Sequence, residues 1–189
     1  IEHQKIPVII KNFDHPEEAE NFSIISDLTE PGRLKGISTI SQMCMVTVSS
    51  GTLVNVPGVL GKIFSILGEN DISVSMVAQS SSEVNTTFVV EKQDGDDAVK
   101  YLKSNPALQE WFKICKKEVG IIAVIGDEIH KSSAKIFSAL AKEGITVISM
   151  AQSSDDLNVS IIVDSDQVQS AVCAINQEFQ MDNDGCVLN

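Results

Sequence analysis

The stretch GKIFSILGENDISVSMVAQSSSEVNTTFVV (Gly61 to Val90) has a close copy later in the chain, AKIFSALAKEGITVISMAQSSDDLNVSIIV (Ala134 to Val163). When residue 61 is aligned with residue 134 without a gap, 13 of the 30 positions are identical by direct count. The resulting period exceeds the roughly 20 to 50 residues of a solenoid repeat. The repeat therefore indicates a duplicated small domain.

Both copies show the same order of predicted elements. Each begins with an apolar or alternating run that is typical of a strand, MCMVTVS (Met43 to Ser49) in copy one and VGIIAVI (Val119 to Ile125) in copy two. A helix follows, because apolar residues then recur at helical spacing. Two strands and a second helix complete each copy. These predicted elements are the strands Ile72 to Ala78 and Val84 to Glu91 with a helix at about Asp96 to Lys103, and the strands Thr146 to Ala151 and Leu157 to Val163 with a helix at about Gln167 to Phe179.

A fourth strand would complete each unit as a ferredoxin-like βαββαβ domain of the α+β class, an antiparallel sheet with both helices on one face. Copy one has such a strand in WFKICKK (Trp111 to Lys117), but copy two ends after Phe179 in a polar tail. The strand-like segment LKGISTIS (Leu34 to Ser41) precedes copy one and has no partner there. We therefore predict that it completes copy two, so that the domains interlock. The predicted first domain is 42–117, the second is 34–41 with 118–180, and 181–189 is a tail.

The N-terminal segment KIPVIIKNF (Lys5 to Phe13) predicts a short apolar strand without a partner in this chain. An acidic polar stretch, DHPEEAEN, follows it. This pattern is typical of the last strand of a domain whose body lies outside the chain. Residues 1–33 are therefore predicted to be the remnant of another domain plus a linker.

The composition argues against several classes of partner. The 189 residues carry a formal net charge of -12 without a Lys/Arg block, whereas nucleic acid and anionic membranes attract basic surfaces. Aromatic residues make up only 5% of the chain, which disfavours a ferredoxin-like domain that stacks bases on its sheet. The apolar runs are shorter than the roughly 18 to 20 residues that span a bilayer. With no secretion signal either, a cytoplasmic protein is expected.

The sequence contains no catalytic or metal-binding motif. It lacks glycine-rich phosphate loops, the GxSxG elbow, HExxH and the calcium loop. The four cysteines and three histidines do not fall at metal-ligand spacing, so no metal site is predicted. A serine nucleophile in QSSSE would need an oriented base, and His130 is the only histidine within either repeat. Catalysis by this chain is disfavoured.

The loop LVNVPGVLG (Leu53 to Gly61) is the first candidate binding segment, because it leads Pro57 and Gly58 into a helix. Free N–H groups at a helix start attract a carboxylate, and glycine lets a ligand or a backbone come close. An ordinary helix start would account for the same residues, and spacing alone does not separate the two interpretations.

A repeated glutamine is the second candidate. Gln79 and Gln152 end a strand in each copy, and Asn85 and Asn158 follow six residues later. An amide offers an acceptor and two donors, which suits recognition of a zwitterion. A hairpin turn explains the neighbouring serines, but it explains less well why glutamine occurs in both copies.

Together, VNVPGVLGKIFSILGENDISVSMVAQSSSEVNTTFVV and its shorter second copy resemble the paired ACT domains at the C-terminus of aspartate kinases, over roughly Leu34 to Phe179. KIPVIIKN is similar to the end of the amino-acid-kinase domain that precedes them in that family. The resemblance implies that an end-product amino acid binds the ACT pair and inhibits phosphorylation of aspartate. ATP and Mg would belong to the kinase domain, so this chain should need no cofactor and be inactive alone.

The resemblance also implies the residues and partners of the site. The effector would contact the first copy at Asn55, Val56, Pro57, Gly58, Leu60, Gln79, Asn85 and Thr86. The second copy has EIHK (Glu128 to Lys131) in place of NVPG, so Gln152 and Asn158 are expected to act as supports there. Threonine is favoured over lysine as effector, because lysine-responsive members tend to carry an acidic residue where Ser75 stands. A homodimer through side-by-side ACT domains is implied. The alternative is an ACT dimerisation module that binds no ligand.

Overall fold

The computed structural model describes residues 6–11, 13–14, 22–25, 34–50, 57–79, 85–109, 112–152, 154 and 157–180. The chain divides into two units, Ile1–Pro31 and Gly32–Asn189. In the first unit, β1 (Val8–Lys11) pairs with antiparallel β2 (Phe22–Ile25). The prediction that the N-terminal strand has no partner was therefore wrong. The partner is only four residues long, and so short a run carries little periodicity.

The second unit is built on one six-stranded antiparallel sheet with the order β4-β5-β3-β6-β8-β7. Its strands are β3 (Leu34–Ser49), β4 (Met76–Gln79), β5 (Asn85–Glu91), β6 (Lys113–Gly126), β7 (Ser149–Gln152) and β8 (Asn158–Asp164). Its helices are α1 (Val59–Glu69), α2 (Gly95–Ser104), the single turn α3 (Pro106–Gln109), α4 (Ser133–Lys142) and α5 (Val168–Phe179). Short 3₁₀ segments, Lys92–Asp94, Ile129–Lys131 and Ser165–Gln167, precede α2, α4 and α5.

The long strands β3 and β6 run through both copies of the repeat. Residues 34–40 of β3 pair with 121–126 of β6, in the second copy, and residues 43–49 pair with 113–119, in the first. The segment predicted to complete copy two thus pairs with the first strand of that copy. Between these parts, the register shifts at Ser41 and Gln42. The two half-sheets are consequently one continuous sheet, which the sequence did not predict.

Each half-sheet buries one face under its own helices. In the first copy, Val46 and Phe88 point from the sheet toward Ile63 of α1 and Leu102 of α2, and all four are fully buried. Strand residues alternate between faces, so every second residue joins this core. Each half therefore has the ferredoxin-like arrangement with helices on one face.

The second copy repeats the arrangement. Ile122 of β6 and Ile161 of β8 pack with Ile136 of α4 and Ile175 of α5, all with no exposed surface.

A third cluster occupies the opposite face of the sheet. Its buried members come from five strands of both copies: Met43, Met45, Met76, Val89, Val119, Ile121 and Ile162. The edge strands β4 and β7 also contact each other. The sheet thus curls over its own apolar centre, and the two copies share this core.

Two strands begin later than predicted. Strand β4 starts at Met76 instead of Ile72, and β7 starts at Ser149 instead of Thr146. The N–H of Ile72 donates to the carbonyl of Leu67, 3.0 Å away, at the end of α1. The equivalent bond in copy two, from Ile145 to Leu140, is 2.9 Å. These isoleucines belong to the turn that ends the helix. In the sequence, however, they alternate with the apolar residues that follow, a pattern that predicts a longer strand.

Candidate functional site

The end of β4 and the start of β5 lie at the end of the first half-sheet where β3 also ends, and α1 is the next element after β3. Gly58 is the N-cap of α1 with φ of 85°, and its carbonyl accepts from the N–H of Lys62 at 2.9 Å. A left-handed backbone favours glycine. A β-carbon on Gly58 would have nothing within 4 Å, so conformation and not crowding requires glycine here. The expectation that Gly58 lets another backbone come close finds no such neighbour among the described residues.

The first turn of α1 has the character of an anion site. Among the described residues no side chain caps it, and it contains no acidic residue. Its first N–H groups therefore lack helical partners and carry the positive end of the helix dipole. Pro57 lies just before the N-cap and Leu60 is half-buried in the first turn. Asn55 and Val56 lie outside the described residues, so their contribution stays a prediction.

Gln79 and Thr86 are direct cross-strand partners on β4 and β5. Thr86 is only 4% exposed, whereas Gln79 is exposed. Since Phe88, two residues after Thr86, belongs to the helix-side core, strand alternation places both polar residues on that same side. They therefore share the face from which α1 begins.

Asn85 lies on the opposite face from Gln79 and Thr86. It is the partner of Ser49 on β3, and the Ser49 hydroxyl donates to the carbonyl of Lys113 at 3.3 Å. The predicted effector residues on β4 and β5 thus divide between two faces of the sheet. Gln79 and Thr86 lie on the face that the helices cover, and Asn85 lies on the other face at the same end of the strands. Sequence reasoning missed Ser49, because the strand pairing that brings it beside Asn85 leaves no pattern in the sequence.

In the second copy, the loop before α4 carries charged residues that form ion pairs. Lys131, the aligned counterpart of Gly58, forms an ion pair with Glu128 at 2.8 Å. Asp127, whose side chain is 8% exposed, lies 2.9 Å from the ammonium of Lys35. Gln152 opposes Val159, so the hydroxyl of Thr86 has no counterpart. This loop therefore lacks the features that make the first copy a candidate binding site.

Asn158 opposes Ile125 on β6. A supporting role for Gln152 and Asn158 remains a prediction.

Other kinds of site find little support. Within the described ranges, no group of three His, Cys, Asp or Glu side chains could hold a metal ion. Burial raises the pKa of the Cys44 thiol, which disfavours a reactive thiolate. None of the helices in the described part of the chain is long and apolar enough to cross a membrane. Two described cavities lie around Ser41 and Gln42, away from the predicted effector residues.

Comparison with known proteins places the chain in a family. The ACT domain family matches residues 46–105 and 122–179, more than half of the chain. Among curated proteins, the chain is 29% identical over 183 residues to a bifunctional aspartokinase/homoserine dehydrogenase of Haemophilus influenzae, covering 92% of this chain and 22% of that protein. An aspartokinase of Bacillus sp. is 28% identical over 156 residues, covering 78% of this chain and 37% of the relative. The chain thus spans only a fraction of these relatives.

Solved structures share the fold. The regulatory subunit of aspartate kinase from Thermus flavus matches with a TM-score of 0.69 and 22% identity, over 78% of this chain and 99% of that one. Aspartate kinase from Clostridium acetobutylicum matches with a TM-score of 0.76 and 24% identity, over 95% of this chain and 43% of that one. The chain belongs to the ACT domain family, and its two ACT domains have the fold of the regulatory part of aspartate kinases.

Proposed function

We propose that the first ACT domain binds an end-product amino acid and so controls the kinase activity of an aspartate kinase. The observation that carries this proposal is that the start of α1 and the opposed pair Gln79 and Thr86 belong to the same end and the same face of the first half-sheet. The helix start suits the carboxylate of an amino acid, while the amide and hydroxyl suit its polar groups. The aspartokinases among the relatives support the proposal that the controlled enzyme is an aspartate kinase.

Threonine is favoured over lysine as the effector. The described candidate side chains, Gln79, Asn85 and Thr86, are neutral, and Ser75 is an exposed neutral residue. A bound lysine side chain would bring a second ammonium, which is costly to desolvate without a carboxylate partner. A neutral hydroxyl, by contrast, is satisfied by amide and hydroxyl partners.

A homodimer would place this site at an interface. Among the described strands, β4 hydrogen-bonds only with β5, and β7 only with β8, so one edge of each has no strand partner, although β4 and β7 lie close to each other. Their side chains Val77 and Met150 remain 42% and 39% exposed. Unpaired edges of this kind are templates for pairing with another chain. Side-by-side ACT pairing would extend the sheet there.

The mechanism would be a shift between two arrangements of the ACT dimer. An effector acts only through its different affinities for the two arrangements. A typical coupling of about 1 to 3 kcal/mol changes affinity at the second site by roughly 5- to 150-fold. The kinase domain, with its ATP and Mg, would lie in the part of the relatives that this chain does not cover, and the setting would be the cytoplasm.

The alternative function is a dimerisation module that binds no amino acid. The open edges of β4 and β7 suit this function equally well. The two candidates differ in their response to ligand, since only a sensor is stabilised by a molecule that binds its folded state.

Isothermal titration calorimetry with threonine, lysine and methionine distinguishes the two, with analytical ultracentrifugation of the same sample. We expect saturable heat with threonine that Gln79→Ala weakens, and a dimer. A folded dimer that gives no heat with any of the three would establish the dimerisation module instead. Heat with lysine alone would overturn the effector assignment but leave the sensor.

A further inference from the structure

Two adjoining cavities lie where β3 passes from the second copy to the first. Their volumes are about 390 and 260 Å³, and both are lined by Ser41, Gln42, Met43 and Lys92. Together they reach the size range of small-molecule sites. The smaller cavity is also lined by Ser165 and so touches the second copy. A molecule held here would contact both halves of the repeat.

A strained bulge forms the shared wall of these cavities. Ile40 pairs with Ile121 and Met43 with Val119, so two residues of β3 lie opposite the single residue Gly120. One of them, Gln42, has φ of 59°. A left-handed conformation is unfavourable for a residue with a long side chain, and such residues cluster at binding and switch sites. Bulges likewise occur beside functional sites, where they redirect a side chain.

The polar lining carries more negative than positive charge. The Lys92 ammonium lies 2.9 Å from a Glu118 carboxylate oxygen. Lys92 lines both cavities. Glu91 accepts a hydrogen bond of 2.9 Å from the Gln93 amide. Glu91 and Glu118 lie opposite Met43 and Cys44, successive residues of β3, so their side chains leave the sheet on opposite faces. The Glu91 carboxylate has only a neutral partner within this lining. An added ammonium group would neutralise it.

The lining also contains apolar residues that suit a short aliphatic body. These residues are Ile40, Met43, Val119 and Val168, and they lie beside the polar residues Ser41, Gln42, Gln93 and Ser165. An apolar wall with a few polar groups converging on it is the usual composition of a small-molecule site.

The second copy differs at the residues aligned with this wall. Asp164, the aligned counterpart of Glu91, is bound to Lys117 at 2.5 Å. Its neighbour Ser165 stands in the place of Lys92. Of the two aligned pairs, only Glu91 and Lys92 of the first copy combine a carboxylate on a neutral partner with a neighbouring cation.

We propose that this junction binds a small aliphatic ammonium compound of amino-acid size, with the ammonium on Glu91. If the compound is an amino acid, its carboxylate pairs with Lys92. The site is separate from the effector site at the start of α1. Because β3 and β6 run through both copies, a compound bound here would affect the position of one domain relative to the other.

The test uses the full chain carrying Gln79→Ala, which removes the effector-site amide, and calorimetry with two matched pairs of probes. These are L-valine with isobutylamine, and L-lysine with cadaverine, each amine being the amino acid without its carboxylate. We expect binding that Glu91→Gln weakens about ten-fold or more, the loss of one charge-assisted bond. Lys92→Met should weaken only the amino acids if they are the natural class. Glu143→Gln, an exposed carboxylate outside the lining, is the matched control.

Gln42→Gly tests whether the Gln42 side chain takes part in binding or whether the bulge is only a strained part of the backbone. Glycine keeps the left-handed backbone and removes the side chain. We expect weaker probe binding with equal or higher thermal stability. Unchanged binding in the Gln42→Gly and Glu91→Gln variants, or no binding of any probe to the Gln79→Ala protein, would overturn the junction site. Threonine binding by the wild-type chain would stand independently of that result.

Discussion

Gly120 and Val168 are in such close contact that a β-carbon on Gly120 would collide with Cγ2 of the valine. The same strand and helix positions in the first copy are Cys44 and Gly95, and there the small residue is on the helix: a β-carbon on Gly95 would lie 2.5 Å from the cysteine sulfur. The two copies thus make the same contact between strand and helix, with the large and the small residue exchanged. The exchange keeps the first strand and second helix of each copy in contact.

Replacing Gly120 with alanine should destabilise the fold by about 1 to 3 kcal/mol, because the added methyl overpacks a filled contact. Val168→Ala in the same chain should restore part of the loss. Chemical denaturation of the single and double variants measures both effects. Gly68→Ala is the control, since nothing lies within 4 Å of its β-carbon position inside α1, and it should stabilise by about 0.5 to 1 kcal/mol. Equal stability of the Gly120→Ala protein and the wild type would contradict the close contact.

The repeat was sufficient to predict the class of fold, because 13 identities in 30 positions fix two copies of one pattern and each copy has one apolar face per element. The lack of a last strand in copy two similarly predicted a role for residues 34–41. What the pattern could not show was that Ile40 and Met43 belong to one strand. That continuity depends on long-range pairing with β6, and the bulge between them breaks the alternation.

The candidate site was only partly predictable. Local sequence placed Gly58 at a helix start, and the structure adds its positive φ. Strand alternation, applied to the observed register, separates Asn85 from Gln79 and Thr86, which the family resemblance had grouped. The junction around Gln42 has no repeat counterpart or known motif, so only the folded pairing brings its residues together.

Replacing Gln79 with alanine should weaken binding of the effector by about 1 to 3 kcal/mol, because a polar group of the bound amino acid then lacks its partner. Calorimetry with threonine measures the change. Gln152→Ala makes the same substitution at the repeated position, where Val159 replaces Thr86 as cross-strand partner, and should leave affinity unchanged. Equal losses in both variants would mean that the second copy also binds the ligand.

Gln167 has a buried side-chain oxygen without a hydrogen-bond partner in the described part of the chain. Leaving such an acceptor unsatisfied is unfavourable by about 1 to 3 kcal/mol. Gln167→Met keeps the shape and removes the acceptor, so it should raise the free energy of unfolding by about 1 kcal/mol or more. Gln177→Met is the control and should have little effect, because Gln177 is exposed on α5, the helix that follows Gln167. A loss of stability in the Gln167→Met protein would show that the oxygen has a partner in solution.

Cysteine accessibility tests the packing of the first copy. Cys115 is exposed, whereas Cys44 and Cys173 are buried. Burial also raises the pKa of the Cys44 thiol, which lowers the fraction of reactive thiolate near neutral pH. Labelling followed by mass spectrometry should therefore modify Cys115 before Cys44, and Cys44 only when the domain opens. Rapid labelling of Cys44 in the native protein would contradict the packed contact with Gly95.

The Lys142 and Glu178 side chains join α4 to α5 through an ion pair of 2.8 Å. The hydrogen bond from Lys142 and the charge of its ammonium hold the pKa of Glu178 below its ordinary value. A carboxyl whose pKa is lowered by folding stabilises the fold above its unfolded pKa, and this contribution disappears as the pH falls through the folded pKa. Lys142→Met should therefore lower the melting temperature at neutral pH but not in strong acid.

An NMR titration of Glu178 measures this directly, since its inflection should move upward in the Lys142→Met protein. Lys103→Met removes an exposed lysine of α2 and should leave that inflection in place. An unchanged inflection in the Lys142→Met protein would mean that the two helices are not joined by this pair in solution. A melting difference that persists undiminished in strong acid would instead assign the effect of Lys142 to the packing of its aliphatic chain, because the carboxyl is then protonated.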